Sequence, residues 1–378
     1  MDRADYVKKF YETDVLDICY DTIVNADLEL KKNKAEIVKK LTDKLNKFFQ
    51  KLIDLQKRGE KGKIYCIAIQ VLRTKILHKE CKVLVTAYDE NFYNDKNPVN
   101  AYFDMEDIFK YLFIIEEKLD KERPKYIRKI NYDDVEMAVQ RFVEMYKDYM
   151  VKFMKISLKD LEKWECFKEL DKEDEFFIIT CEYKDNIEFV YKALGKRTEI
   201  ENKKIVEEIN GKPKGIFAYE LFNDLNLAEL DLRNENFCFT NFRNSNLSFC
   251  DIRVAFCIGS DFRNCTMVGT SFEHSFIHDA DFRESNLFGA IFRNVNGNLT
   301  TPTKEVLYTA GFSGVDFRGS ILQRADFADG NFTGADFRYA KFEETNFKET
   351  NLQGAIFDKD SLKDLKLSPK QLEEIIIE

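Results

Sequence analysis

Three small groups of residues carry side chains suited to metal binding or nucleophilic chemistry. His78 and Cys81, with Cys66 upstream, have the ligands to begin a metal site, yet a closed zinc site takes four and a third and fourth are not evident here. His274, His278, Cys238 and Cys257 form a second set, spaced so that neighbouring turns of a regular structure would bring them together. The run Tyr88–Tyr93 (YDENFY) joins carboxylates to aromatics just after a strand-like stretch, where binding loops often sit. A polar turn anchored by its aromatics is the plainer reading. Arg73 and Arg128 are anion-binding candidates that nothing beyond their charge singles out. Only Gly59 and Gly62 precede residue 195, so no glycine-rich phosphate loop or dinucleotide fingerprint is present. With three His in 378 residues the commonest general base is scarce. No catalytic set emerges, and no cofactor or metal is expected.

The elements that would position such residues divide the chain. Over 1–195, helical periodicity is clear at 34–57 (Ile37, Leu41, Leu45, Phe48, Leu52, Leu55), at 104–119 and at 133–154. Strand-like runs lie at 64–72 and 83–88, and a hairpin is expected from 176–183 and 187–191 across Lys184–Asn186. This predicts a mixed α+β domain of no recognised family. Gly195, Gly211, Pro213 and Gly215 punctuate a charged stretch, read as a linker over 196–216.

The rest of the chain is periodic. Every fifth residue from Phe222 to Phe292, and again in the same register from Phe312 to Phe357, is apolar: 25 positions, 15 of them Phe. Against a 44% hydrophobic background the chance of this is roughly 10⁻⁹. Neither a helix nor a simple strand has a period of five. Two residues before each centre the side chain is mostly small (Thr240, Ser245, Cys250, Ala255, Ser260, Ala280, Ala325, Ala335), and one before it Asn or Asp dominates (Asn241, Asp251, Asp261, Asp281, Asp336). Cys257 falls on a centre, and Cys250 and Cys265 on small positions, so packing explains these cysteines. From Phe217 onward there are 25 acidic and 16 basic residues, which accounts for the net charge of −9 and argues against a nucleic-acid surface.

The pattern A(D/N)(L/F)xx, clearest at Ala325–Asp329 and Ala335–Tyr339, resembles the pentapeptide-repeat family over about 140 residues. That resemblance implies a right-handed quadrilateral parallel β-helix over 217–367, four pentads to a coil, following the α+β domain. Its centres, among them Phe262, Phe282, Phe317, Phe327, Phe337 and Phe347, fill a narrow interior, so a charge at Phe282 or Phe337 should break the rod locally. Six coils at about 4.8 Å give a rod roughly 30 Å long. Twenty residues per coil stack Arg243, Arg263 and Arg283 on one side, as a charge ladder with Asp or as a partner-binding face. Residues 295–310 break the pattern. Thr301–Glu305 reads as a helix start, so Thr303, Lys304 and Glu305 are candidate contacts. If this segment replaces three sides of a coil, the faces keep their numbering afterward. If it loops out, they shift by one side. Ser368 and Pro369 begin a capping helix over 368–378.

The expectation is a cytoplasmic, non-enzymatic protein-interaction scaffold, with no membrane span and no direct nucleic-acid contact. Relatives use the C-terminal end for dimerisation, so a homodimer through that end is implied. Two alternatives are a DNA mimic acting on DNA gyrase or topoisomerase IV, as some family members do, and a ligand-binding or catalytic N-terminal domain positioned by the rod.

Overall fold

The computed structural model describes residues 2–182, 187–211, 217–303, 306–307 and 311–378. It divides into two compact units, one over Met1–Gly195 together with Thr301–Tyr308, the other over Lys196–Thr300 and Thr309–Glu378.

In the first unit α1 (Arg3–Phe10) runs through a π-helical turn into α2 (Leu16–Lys32), followed by α3 (Lys34–Lys57). Then come β1 (Ile64–Val71), α4 (Arg73–Leu77), β2 (Lys82–Tyr88), β3 (Val99–Asp104), α5 (Glu106–Glu122), α6 (Tyr132–Arg141), α7 (Val143–Ser157), α8 (Glu165–Glu169), β4 (Lys172–Glu182) and β5 (Glu188–Ala193). The strands form one mixed sheet in the order β3-β2-β1-β4-β5, with only the β1–β4 pair parallel. Helix α3 buries Ile37, Leu41, Leu45, Phe48 and Leu52, the stripe the periodicity marks. Phe48 meets Phe103 edge-on at 6.1 Å, and Phe167 of α8 meets Phe176 at 5.4 Å, so helices cover that side of the sheet.

The mixed α+β reading therefore holds. Helices α1, α2, α4 and α8 and strand β3 are additions to it, and the helical stretch at 133–154 is divided between α6 and α7. Strand β3 is a six-residue edge strand with exposed Asn100 and Asp104, too short and too polar to stand out by periodicity. The turn expected over Lys184–Asn186 lies outside the described residues.

The second unit corrects the linker. Helix α9 (Glu199–Gly211) occupies the middle of that stretch, and Ile205, Val206 and Ile209 pack into the same core as the first coil. Arg197 donates to the carbonyls of Leu221, at 2.6 Å, and Asn223. From Phe217 the chain forms coils joined by parallel bridges twenty residues apart, Asn241 to Asp261 and Asp261 to Asp281 among them. Inside, two columns of Phe rings run along the coil axis. Phe242, Phe262, Phe282, Phe317, Phe337 and Phe357 stack at 4.8–5.0 Å. Phe272, Phe292, Phe327 and Phe347 stack at 4.9–5.0 Å. The columns meet edge-to-face, as Phe282 and Phe292 do at 5.6 Å and 89°. At the far end Gln371 of α10 (Pro369–Glu374) donates to the carbonyls of Phe347 and Thr350. The tail strand β7 (Ile376–Ile377) then pairs with β6 (Ile356–Phe357).

The interruption loops out. Phe276 still pairs with Asn296, twenty residues on, but Asp281 pairs with Asp316, Asn286 with Ile321 and Asn296 with Asn331, all thirty-five apart. Later faces are thus shifted by one side. Phe312 is buried but stands in neither ring column, because Phe292 stacks on Phe327. Gly297 takes the centre position and Val315 fills its space, since a Cβ at Gly297 would come within 2.6 Å of Val315 Cγ2. Coil bonding resumes on both sides: Leu299 N reaches Thr333 O at 3.0 Å and Asp316 N reaches Ala280 O at 3.0 Å.

Because the ladder passes the excursion by, deleting Thr300–Gly314 joins Leu299 to Val315 in coil register. This deletion is expected to leave the far-ultraviolet circular dichroism and the melting temperature nearly unchanged. A large drop in melting temperature would mean that the excursion is integral to the coil.

Candidate functional site

The surface of the solenoid follows from where each backbone amide goes. A centre donates to the next coil (Phe237 N to Phe256 O, 2.7 Å), as does the residue two later (Phe239 N to Ile258 O, 2.8 Å). The residue before a centre donates to the previous coil (Asn241 N to Glu220 O, 2.9 Å), and Thr240 N closes the turn on Phe237 O at 3.0 Å. One amide per pentad remains, that of the residue after the centre. It donates to the Asn or Asp side chain two positions earlier: Cys238 N to Asn236 Oδ1 at 3.0 Å, Arg243 N to Asn241 Oδ1 at 3.0 Å, Arg318 N to Asp316 Oδ1 at 3.2 Å. That bond is the reason for the Asn/Asp column.

The small inward residues do more than fit. Ser245, Ser260 and Ser285 donate their hydroxyls to the buried centre carbonyls of Phe222, Phe237 and Phe262 at 2.6–2.7 Å. The Cys250 and Cys265 thiols donate likewise to Leu227 and Phe242. Burial pushes the Cys250 thiol up to about 11, away from nucleophilic chemistry. At the corners the residue two after each centre has positive φ, and aromatics take some of these places, such as Phe239 and Phe249, each at 59°. Gly259 is required where it stands, because the Phe239 ring lies within 2.5 Å of the place its Cβ would occupy.

One face carries a continuous charge ladder. Arg243, Arg263 and Arg283 stack on it as expected, and the shift brings Arg318 and Arg338 onto the same side. Each of Asp261, Asp281, Asp316 and Asp336 binds the Arg two residues on and approaches the Arg of the preceding coil. Asp281 takes Arg283 Nε and Nη2 at 3.0 and 2.9 Å and lies 3.3 Å from Arg263 Nε. Arg338 ends the series on Glu378. Arg263 is 5% exposed and Asp281 2%, so the middle of the ladder lies inside the surface. As partner contacts these arginines remain a proposal.

At the excursion, Thr303 and Val306 exchange backbone hydrogen bonds at 2.8 and 3.2 Å. No helix occurs among the described residues of 295–310. Lys304 and Glu305 lie outside the described residues. Directly beneath its feet stand two residues the sequence did not single out as a pair. His278 Nδ1 lies 2.9 Å from the Asn298 carbonyl, and the Asp279 carboxylate accepts the Phe312 and Ser313 amides at 2.6–2.9 Å. The available signal was positional: adjacent His and Asp on the outer face, one coil before the break.

The remaining candidates are structural. No group of three or more metal-ligating side chains converges among the described residues. His78 Nδ1 is 2.6 Å from Thr74 O, while Cys66 and Cys81 are buried. In the 88–93 run, Tyr88 packs on Phe92 and Tyr93 at 5.4 and 5.6 Å, and these rings cover the sheet side that carries Cys66, Ala68 and Ile179. Asp95 pins that loop by accepting from buried Lys61 at 2.5 Å and from the Asp89 and Asn97 amides. Arg73 is held by Glu182 at 2.6 Å and the Gln140 carbonyl at 2.8 Å. Arg128 is exposed, with φ of 62°.

Asp281→Ala strands two arginines and the Arg283 amide, so a loss of about 3 kcal/mol is expected in chemical denaturation, against under about 1 kcal/mol for exposed Asp231→Ala. Equal losses would refute a ladder anchored at its buried middle. The Arg253 guanidinium beside Asp251 holds that carboxyl below its ordinary range. A lowered folded value favours the ionised form, so this stabilisation is full above the unfolded value of about 4 and disappears as pH falls through the folded one. Melting temperature should therefore fall on acidification below about pH 4, with a shallower fall in Arg253→Ala. An identical profile in that variant would remove the pair as a source of acid sensitivity.

The family profile described as pentapeptide repeats matches residues 255–296, 310–348 and 330–359, in eight copies. No curated protein matches the chain. Among solved structures, HetL, a pentapeptide-repeat protein involved in heterocyst differentiation regulation from the cyanobacterium Nostoc, is 21% identical over 38% of this chain, with a TM-score of 0.26; the chain spans 62% of HetL. QnrB1, a plasmid-mediated fluoroquinolone resistance protein, is 12% identical in one of its structures, over 44% of this chain and 90% of its own, with a TM-score of 0.26. A pentapeptide-repeat protein of the Arabidopsis thaliana thylakoid lumen is 19% identical over 38% of this chain and 72% of its own, with a TM-score of 0.20. Residues 255–296 and 310–359 of the second unit are thus pentapeptide repeats.

Proposed function

We propose that this protein is a non-enzymatic interaction scaffold in which a right-handed solenoid, closed by α10, presents the excursion over residues 295–310 to a protein partner. The observation that carries this reading is that the coil ladder passes the excursion without needing it: Asp281 pairs with Asp316 and Asn296 with Asn331 across the break. Within it the coil's own bonds end at Leu299 and resume at Val315, and the described residues between them are tied down at both feet, which suits that stretch to contact. The near-neutral Arg/Asp face offers little to an electrostatic partner, which directs attention to the excursion rather than to Arg243, Arg263 and Arg283.

Mimicry of DNA toward DNA gyrase or topoisomerase IV is less favoured, because a face on which each Arg is matched by Asp is not a negative rail. No helix among the described residues is long and apolar enough to cross a membrane. Homodimerisation through the C-terminal end is proposed from the half-exposed Ile376 and Ile377 on the last rung.

The test compares the full chain with the Thr300–Gly314 deletion as baits in a lysate of the source organism. A partner retained by the full chain and lost by the folded deletion is the expected result. Partners that bind both equally would overturn the excursion as the contact element, and substrate turnover by the purified chain would overturn the non-enzymatic reading.

A further inference from the structure

We infer that the feet of the excursion form a latch, closed in this structure and able to open while the coil stays intact. The inference concerns the same segment as the interaction reading, but its test involves no partner, so the two can fail separately.

The latch has few parts. His278, 4% exposed, points Nδ1 at the Asn298 carbonyl on the outgoing foot. On the returning foot the two Asp279 oxygens accept the Phe312 amide at 2.8 and 2.9 Å, and one of them also takes Ser313 N at 2.6 Å. Consecutive side chains of one corner thus hold both feet. The feet also hold each other, through Thr300 N to Gly311 O and Gly311 N to Thr300 Oγ1, both at 3.0 Å. Gly311 sits in the closest part of this contact. A Cβ there would fall 2.0 Å from the Asn298 carbonyl oxygen and 3.2 Å from His278 Nδ1.

Against these bonds stands an opposing term at the same place. The side-chain oxygens of Asn296 and Asn298 are buried without a hydrogen-bond partner. Earlier in the coil, Asn236 and Asn241 receive the amide two residues on. A buried polar oxygen left unmet is destabilising by an amount comparable to a hydrogen bond, and opening the feet would return it to water. The closed latch therefore combines strong charge-assisted bonds with two uncompensated groups. The coil itself does not depend on it: Gly297 N to Asn331 O, Leu299 N to Thr333 O and Phe282 N to Asp316 O lie outside the latch. Opening the feet leaves these ladder bonds in place, which makes the latch a local unit set in a cooperative rod. A partner that contacts the excursion in one state alone would shift the balance by its differential affinity.

Native-state hydrogen exchange on the full chain tests this. The Phe312 and Ser313 amides are expected to exchange roughly 100-fold faster than those of Phe282 and Phe317 in the ring columns. Asp279→Gly keeps the left-handed corner, φ 58°, which glycine adopts readily, and removes the carboxylate. It should speed Phe312 and Ser313 a further 10- to 100-fold or so, with Phe282 and Phe317 nearly unchanged. Gly311→Ala should act in the same direction by steric exclusion. A single exchange rate for all four amides in the unmodified chain would overturn the latch, as would an unchanged Phe312 rate in Asp279→Gly or loss of the coil in both variants.

Discussion

Backbone hydrogen bonding between successive coils is the constraint on which the solenoid depends. Once a coil must align its amides with carbonyls twenty residues away, the corner comes every five residues and the interior is only as wide as two opposed rings. The remaining preferences follow in order. Phenylalanine fills the width, since its rings stack along the axis and meet edge-on across it. A hydroxyl or thiol beside the corner satisfies the inward carbonyl. Asn or Asp on the outside takes the one amide that the ladder omits. Where that acceptor is Asp, its second oxygen is left to bind arginine, and the charge ladder arises from the same bond that makes the corner.

The ends show the same constraint from the other side. A terminal coil has no neighbour, so residues outside the repeat take its place. Arg197 meets the Leu221 and Asn223 carbonyls ahead of the ladder, and α9 lays Ile205, Val206 and Ile209 on the first coil. At the other end Gln371 reaches two carbonyls and Ile376 N bonds to Ala355 O. The folded unit therefore begins well before the first recognisable pentad.

This explains how much the sequence disclosed. The apolar period, the Asn/Asp column and the stacking of Arg243 with Arg263 and Arg283 were legible, because each residue type answers to its own coil neighbours at a fixed separation. Helix α9 was not, because its charged, glycine-bordered segment resembles a linker until the surface it covers is known. In the first unit α3 showed itself by a clean apolar stripe, whereas β3 is short and polar, with its pairing set by β2 rather than by its own residues. Of the candidate site, the interruption was visible as a break in rhythm. Its latch was not, since a lone His and Asp gain meaning only from the chain that returns above them.

The excursion adds fifteen residues, a whole number of pentads, and so behaves as an in-frame insertion does in a gene: the rhythm reads on unbroken while what it encodes has turned. Every side chain beyond Val315 points a quarter-turn away, in azimuth, from where counting by twenties from Phe222 would place it. Two rods that differ only by such an insertion would align column for column yet offer different sides of their later coils to the same partner. Surface comparison within this architecture therefore has to be made by compass bearing around the axis, and an alignment alone will pair the wrong faces.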